Sequence, residues 1–155
     1  MVDSIRASVK DVQKLASALN GMGDRLDLTS KRIVMLTTDV IGDAAKRQFR
    51  GERHNPPEQP RPTLRTGNLR NSIRRSEPER LDFAAWRGFV GPTVEYGRRV
   101  EMGGVSQTNW VYGRRTTKFH TIRTRPFPYM APAFAESREE IISIYRREWR
   151  KAISG

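Results

Sequence analysis

The sequence predicts an α+β fold, a small antiparallel sheet packed against a long helix and a C-terminal amphipathic helix. Two helical patterns and one alternating stretch carry that prediction. From Leu26 to Phe49, Ile33, Val34, Val40, Ile41, Ala44, Ala45 and Phe49 share a broad face, and Lys31, Arg32, Asp39, Asp43, Lys46 and Arg47 lie mostly outside it. From about Ala133 to Ile153, Phe134, Ile141, Ile142, Tyr145, Trp149, Ala152 and Ile153 recur at helical spacing. Between them, Leu69, Asn71 and Ile73 alternate with Arg70, Ser72 and Arg74, the period of a strand.

Taken in order, Ile5, Ala7 and Val9 alternate as a short strand, and Asp11 then caps a helix to about Asn20 with Val12, Leu15, Ala16 and Leu19 inward. A helix through Val2, Ile5, Val9 and Val12 is the competing reading. Gly21 and Gly23 predict a stop before the long helix. Gly42 inside that helix costs about 1 kcal/mol against Ala, and close packing on another backbone is one reason to keep it. "RGERHNPPEQPRP" has four prolines in thirteen residues and predicts an exposed loop over about 50–65.

Residues 69–90 read as a hairpin that turns at "SEPER". Its return arm sets Leu81, Phe83, Ala85 and Phe89 on one face and Trp86 and Val90 on the other, so a second layer is expected over part of it. The Trp86/Phe89 pair and the Phe134/Tyr145/Trp149 stripe are read as core. A Gly-Pro stop precedes a short helical segment with Tyr96 and Val100 inward. Residues 104–124 are a basic loop or a second hairpin with Gly113 in its turn. Pro132 suits the first turn of the last helix, whose Glu136, Glu139 and Glu140 stand near the start and Arg146, Arg147, Arg150 and Lys151 near the end, the order the helix dipole favours.

At 155 residues, with no internal repeat, the chain is expected to form a single domain, 1–155, with exposed loops at about 50–65 and 104–124. Its net charge of +12 points to a polyanion or an acidic neighbour. No cysteine is present, which excludes disulfides and thiolate metal sites. No apolar run approaches the ~18 residues of a membrane span, and the first residues lack the apolar stretch of a signal peptide. A cytoplasmic site of synthesis is therefore expected, and no membrane partner.

The search for chemistry returns little. His54 and His120 have no acidic cluster at ligand spacing, and surface positions account for both. No nucleophile elbow and no phosphate loop is present, and Glu95 and Glu101, six apart, do not share a helix face. His120, Tyr112, Arg114, Arg115 and Lys118 could be cast as an RNA-cleaving set, but residues of these kinds recur by chance in any arginine-rich chain. No catalytic residue, metal ligand or cofactor is assigned. Nucleic-acid binding has more behind it. Residues 50–75 hold seven arginines against two glutamates, and 98–125 hold seven lysines and arginines against one. Trp110, Tyr112 and Phe119 sit among the second group and could stack on bases. No DNA- or RNA-binding signature accompanies them. A solvated face or an acidic protein partner explains the same charges.

Three short segments stand in a telling order: "TGNLRNSI" after the long helix, "YGRRVEMGG" after the hairpin, and "RPFPYMAPAF" before the last helix. The set resembles the head–tail joining (neck, or tail-completion) proteins of long-tailed bacteriophages. That family reads Thr-Gly-x-Leu-x-x-Ser-Ile, then Tyr-x-x-x-Val-Glu-x-Gly, then Arg-Pro-Phe-x-x-Pro-Ala. Thr66, Gly67, Leu69, Ser72 and Ile73 complete the first; Tyr96, Val100, Glu101 and Gly103 match the second. Arg125, Pro126 and Phe127 match the third, with one extra residue before Pro132. The likeness covers roughly 26–153, and the basic insert at 104–124 is longer than the family's usual segment.

The resemblance implies a non-catalytic virion component, assembled in the host cytoplasm, whose copies form a ring, six-fold by family likeness, between the DNA-filled head and the tail. It implies a head-closure ring, a tail terminator or tail tube proteins as neighbours, and passing DNA in the lumen. Gly67 is then the turn and Leu69 and Ile73 are core. Arg53, Arg61, Arg65, Arg70, Arg114, Arg115 and Lys118 are the candidates to face a ring neighbour or DNA, and the sequence leaves both open. The alternative function is a sequence-independent nucleic-acid-binding protein.

Overall fold

The computed structural model describes residues 9–49, 67–111 and 114–154, with backbone alone for Val9, Asp11, Ser106, 108–111, 114–120, Ile122 and Thr124. It is α+β: a long helix packs against the C-terminal helix and against small antiparallel strand pairs. The first element, α1, runs Val9–Arg47 without a break. The stop expected at Gly21 and Gly23 does not occur. The apolar stripe Leu15, Leu19, Met22, Leu26 keeps its helical spacing through both glycines, and the Phe83 ring lies against Gly23. From Val9 onward the helical reading therefore prevails; Ile5 and Ala7 lie outside the described residues. Gly42 is closely packed, but against a side chain and not the backbone expected: a Cβ there would come within 3.3 Å of Val90 Cγ2.

After 50–66, which are not described, α2 (Asn68–Ser72) leads directly into β1 (Ile73–Arg75). Leu69 is thus helical, not the first residue of a strand, because Gly67 starts a single helical turn that the alternation of 69–73 hides. The expected hairpin is also divided. β1 pairs with β4 (Val90–Pro92), and β2 (Glu79–Asp82) pairs with β3 (Ala85–Arg87). The tip falls at Phe83–Ala84; of "SEPER" only 76–78 pass between strands, and Glu79 and Arg80 already belong to β2. Asp82 Oδ1 accepts from Phe83 N at 2.7 Å and Asp27 Oδ1 accepts from Ala84 N at 2.9 Å, which holds Ala84 at φ 54 without a glycine.

The second layer expected over this hairpin is α1. Trp86 donates from Nε1 to Asp27 at 3.0 Å and lies under Lys31, while Leu81, Phe83 and Phe89 stay exposed. Phe89 is therefore not core. After α3 (Tyr96–Met102), β5 (Gly104–Val111) and β6 (Arg114–Thr124) make the second hairpin in antiparallel register from Gly104↔Thr124 to Val111↔Arg114. Gly113 of its expected turn lies outside the described residues.

Helix α4 (Met130–Ser154) begins three residues earlier than its apolar pattern suggests and runs antiparallel to α1. Gln48 Nε2 bonds Glu136 at 2.7 Å near one end, and Arg32 meets Glu148 at 3.2 Å towards the other. Its buried face is Ala133, Ser137, Ile144, Glu148 and Ala152, so the predicted stripe is rotated. Phe134, Tyr145 and Ile153 are exposed, and Trp149 is half-buried with its ring 6.0 Å from Tyr145. The polar members of the true face are what conceal it. Glu148, 4% exposed, is held by Arg32, Arg147 at 2.9 Å and Lys151 at 3.4 Å. Those cations, Arg147 foremost, lower its carboxyl below the usual range against the opposing pull of burial.

Candidate functional site

The core cluster Ala44, Ala45, Phe49, Leu69, Ile73, Tyr129 and Ala133 lies where the three sequence motifs converge. Gly67 takes φ 72 and ψ −9, a left-handed conformation open to glycine, and its carbonyl accepts from Asn71 N at 2.9 Å. Ser72 Oγ donates to Leu69 O at 2.7 Å, and the Ser72 carbonyl receives Thr93 N at 3.0 Å. Ile73, 2% exposed, stands opposite Pro92 in the β1–β4 register. Every described residue of the first motif is therefore used in a turn, a cap or the core; Thr66 lies outside the described residues.

The second segment closes over the first. A Cβ on Gly97 would stand 2.4 Å from the Pro92 ring and 3.2 Å from Leu69, so only glycine allows α3 this close. Gly97 and half-buried Val100 take the inner side, which turns Tyr96 outward to 43% exposure, against the inward placement expected of it. Gly103, at φ 71, ends α3 and releases the chain into β5.

Glu101 links the second segment to the third. Its Oε2 accepts from Tyr129 N at 2.7 Å and Met130 N at 3.0 Å, and its Oε1 accepts from Ala131 N at 3.0 Å. The first N–H groups of a helix have no partner within it, and they carry the positive end of its dipole. One carboxylate, some thirty positions back in the chain, supplies what the start of α4 lacks. Phe127 N donates to Val100 O at 2.8 Å, and the Tyr129 hydroxyl donates to Gly97 O at 3.2 Å. Tyr129 is fully buried against Phe49, ring centres 5.1 Å apart. Burial first, then the Glu101 charge, pushes its phenol up to about 12. Pro132 sits in the first turn of α4 as expected, while Arg125 and Pro126 are exposed on the approach to it.

The charged candidates divide. Arg53, Arg61 and Arg65 lie outside the described residues, and Arg114, Arg115 and Lys118 are placed on β6 by backbone alone. Arg70 is exposed on α2, at the rim of the joint. Exposed Arg74, Arg98, Arg99, Arg123 and Arg125, which the candidate set omitted, stand on the other elements that meet there. Among the described residues none of these six has an ion-pair partner, whereas Arg32, Arg47, Arg75, Arg80, Arg87 and Arg147 all do. The omission has a simple origin: nothing in a sequence marks which arginines an acidic side chain neutralises. An apolar cleft of about 410 Å³ opens beside Arg98, between Pro92, Val94, Met102 and Met130. Among the described residues no group of acidic or imidazole side chains could hold a metal, and no helix is long and apolar enough to cross a membrane. Compared with protein-family models, with curated proteins and with solved structures, the chain matches none.

Proposed function

We propose that the chain is a non-enzymatic component of a phage head–tail connector, a neck or tail-completion protein whose copies form a ring joining the DNA-filled head to the tail. One observation carries this reading. The three segments that resemble the family's motifs, distant in sequence, meet in a single joint, and Glu101, Gly67 and Phe127 each have a structural task there. Motif residues spent on a joint suit a scaffold, whose work is to hold loops and helices out toward neighbours. The β5–β6 hairpin and the segment at 50–66 are the parts we assign to ring and tail contacts. A head-to-tail interface closes a ring when its rotation fits.

The arginines around the joint that have no ion-pair partner among the described residues favour a second reading, a sequence-independent nucleic-acid-binding protein. Native mass spectrometry and electron microscopy of the full chain near physiological salt, with and without short duplex DNA, separate the two. Closed rings of fixed copy number that form without DNA support the connector. A monomer that binds the duplex, with log affinity falling steeply against log salt, supports the alternative, since released counterions set that slope. On the connector reading, Arg114→Ala with Arg115→Ala leaves folding intact and weakens ring formation. A double variant that assembles and binds DNA as the parent does removes β6 from the interface.

A further inference from the structure

The core-facing stripe of α1 does not end where the core ends. Ser30, Ile33 and Ala44 are buried along it, and the same face continues through Leu26 to Met22, Leu19, Leu15 and Val12. Among the described residues its coverings stop earlier. Phe83 of the β2–β3 turn lies against Gly23, and the last turns of α4 lie beside Arg25 and Leu28. Residues 9–22 therefore project past the body, an overhang of about 21 Å at 1.5 Å per residue. Leu15 and Leu19 are 61% and 60% exposed on it. A helix of this length is marginal in water by itself, and Gly21 weakens it further.

We propose that the overhang pairs with that of a second copy of this chain, antiparallel, as a short two-helix seam. Three observations select this occupant. Val12, Leu15, Leu19 and Met22 are spaced 3-4-3, the narrow seam of helix pairing. Ala16 and Ala18 flank it and let the backbones approach. In a chain of net charge +12, Lys10, Asp11 and Lys14 leave the overhang nearly neutral, so two copies meet there without strong repulsion and a polyanion is not drawn to it. The seam is also continuous with the established antiparallel packing of α1 on α4, so a second α1 entering antiparallel extends that layer beyond the end of α4. A parallel partner would bring its own body onto the stretch that the first body already fills.

The register that sets Val12 against Met22 of the second copy and Leu15 against its Leu19 makes every layer apolar. Three turns of seam are smaller than the ~1,600 Å² of a standard interface, so the dimer is concentration-dependent. The pairing is two-fold and closes at two copies, so it stands independently of the connector reading.

Sedimentation velocity of the full chain over a concentration series tests it, with Leu15→Glu/Leu19→Glu as the probe; both side chains are exposed in the single copy, so its core is untouched. A dimer whose dissociation constant rises on the order of 100-fold in the double variant is expected. A parent chain that stays monomeric throughout the series, or a dimer that the variant leaves unchanged, overturns the proposal. Spin labels on single cysteines, Lys10→Cys or Ser17→Cys in this cysteine-free chain, read the direction. Antiparallel pairing centred at Ser17 separates the Lys10 labels by about 21 Å more along the axis than the Ser17 labels. Equal distances at the two sites mean parallel pairing and overturn it as well.

Discussion

Replacing Glu101 by Ala tests the joint at its centre. The side chain is partly exposed, and its removal leaves no cavity in the core. It does strip the first N–H groups of α4 of their acceptor. The N–H of Ala131 is exposed and turns to water at little cost. Those of Tyr129 and Met130 are half-buried, and a hydrogen bond to a charged group contributes about 1.5–3 kcal/mol, part of it the helix dipole. Two such bonds at the lower end give a loss of about 3 kcal/mol. For a chain of this size that lowers the melting midpoint by roughly 6–12 °C. Urea unfolding followed by circular dichroism at 222 nm reads it directly, with Glu95→Ala, six residues earlier and exposed, as a control expected within ~0.5 kcal/mol. Glu101→Gln keeps an acceptor but not the charge and is expected between the two. A Glu101→Ala loss below about 1 kcal/mol, or no greater than that of Glu95→Ala, would refute the role assigned to this carboxylate.

Three further outcomes are expected. Gly97→Ala places a methyl 2.4 Å from the Pro92 ring and costs about 1–3 kcal/mol, read from the same urea curves. Gly67→Val forces a β-branched residue to φ 72 and costs about 1–2 kcal/mol or more; an unchanged midpoint would show that the turn is not needed. The two buried titrating groups act at opposite ends of the pH scale. The lowered carboxyl of Glu148 contributes stability above the ordinary carboxylate range, near pH 4.3, and loses it as pH falls through its folded value, so Glu148→Gln flattens the acid limb of stability. The raised phenol of Tyr129 contributes fully below about pH 10 and loses that contribution as pH rises towards about 12. Tyrosinate absorbance should therefore show one of the four tyrosines titrating late, and Tyr129→Phe should remove that step.

The sequence made some of this legible and hid the rest for identifiable reasons. The long helix from Leu26, the last helix and the turn at Gly67 were readable because each follows from local periodicity or a single glycine. The run of α1 through Gly21 and Gly23 was not, because a propensity cost is small beside a stripe that stays in register across it. The tip at Phe83–Ala84 was hidden because Asp27, more than fifty residues away, holds it. The buried face of α4 was misplaced because Ser137 and Glu148 stand where apolar residues were sought, and only the fold brings Arg32 to Glu148. Glu101 was picked out as a motif position, but its task required knowing that α3 lies across the start of α4. The exposed Tyr145 and Leu15 read as core for a plain reason: a pattern records that a face is apolar, not that this chain alone covers it.

The joint also has a mechanical meaning. The β5–β6 hairpin, whose shorter arm spans about 26 Å at 3.3 Å per residue, leaves the body at Gly103 and returns at Phe127. At its root, adjoining residues of α3 grip the returning strand and the helix behind it: Val100 through Phe127 and Glu101 through the first turn of α4. The hairpin is thus a lever with α3 as its fulcrum. Along the chain, a load on the hairpin that travels to α4 passes the Phe127–Val100 bond and then the Glu101 carboxylate at the start of that helix.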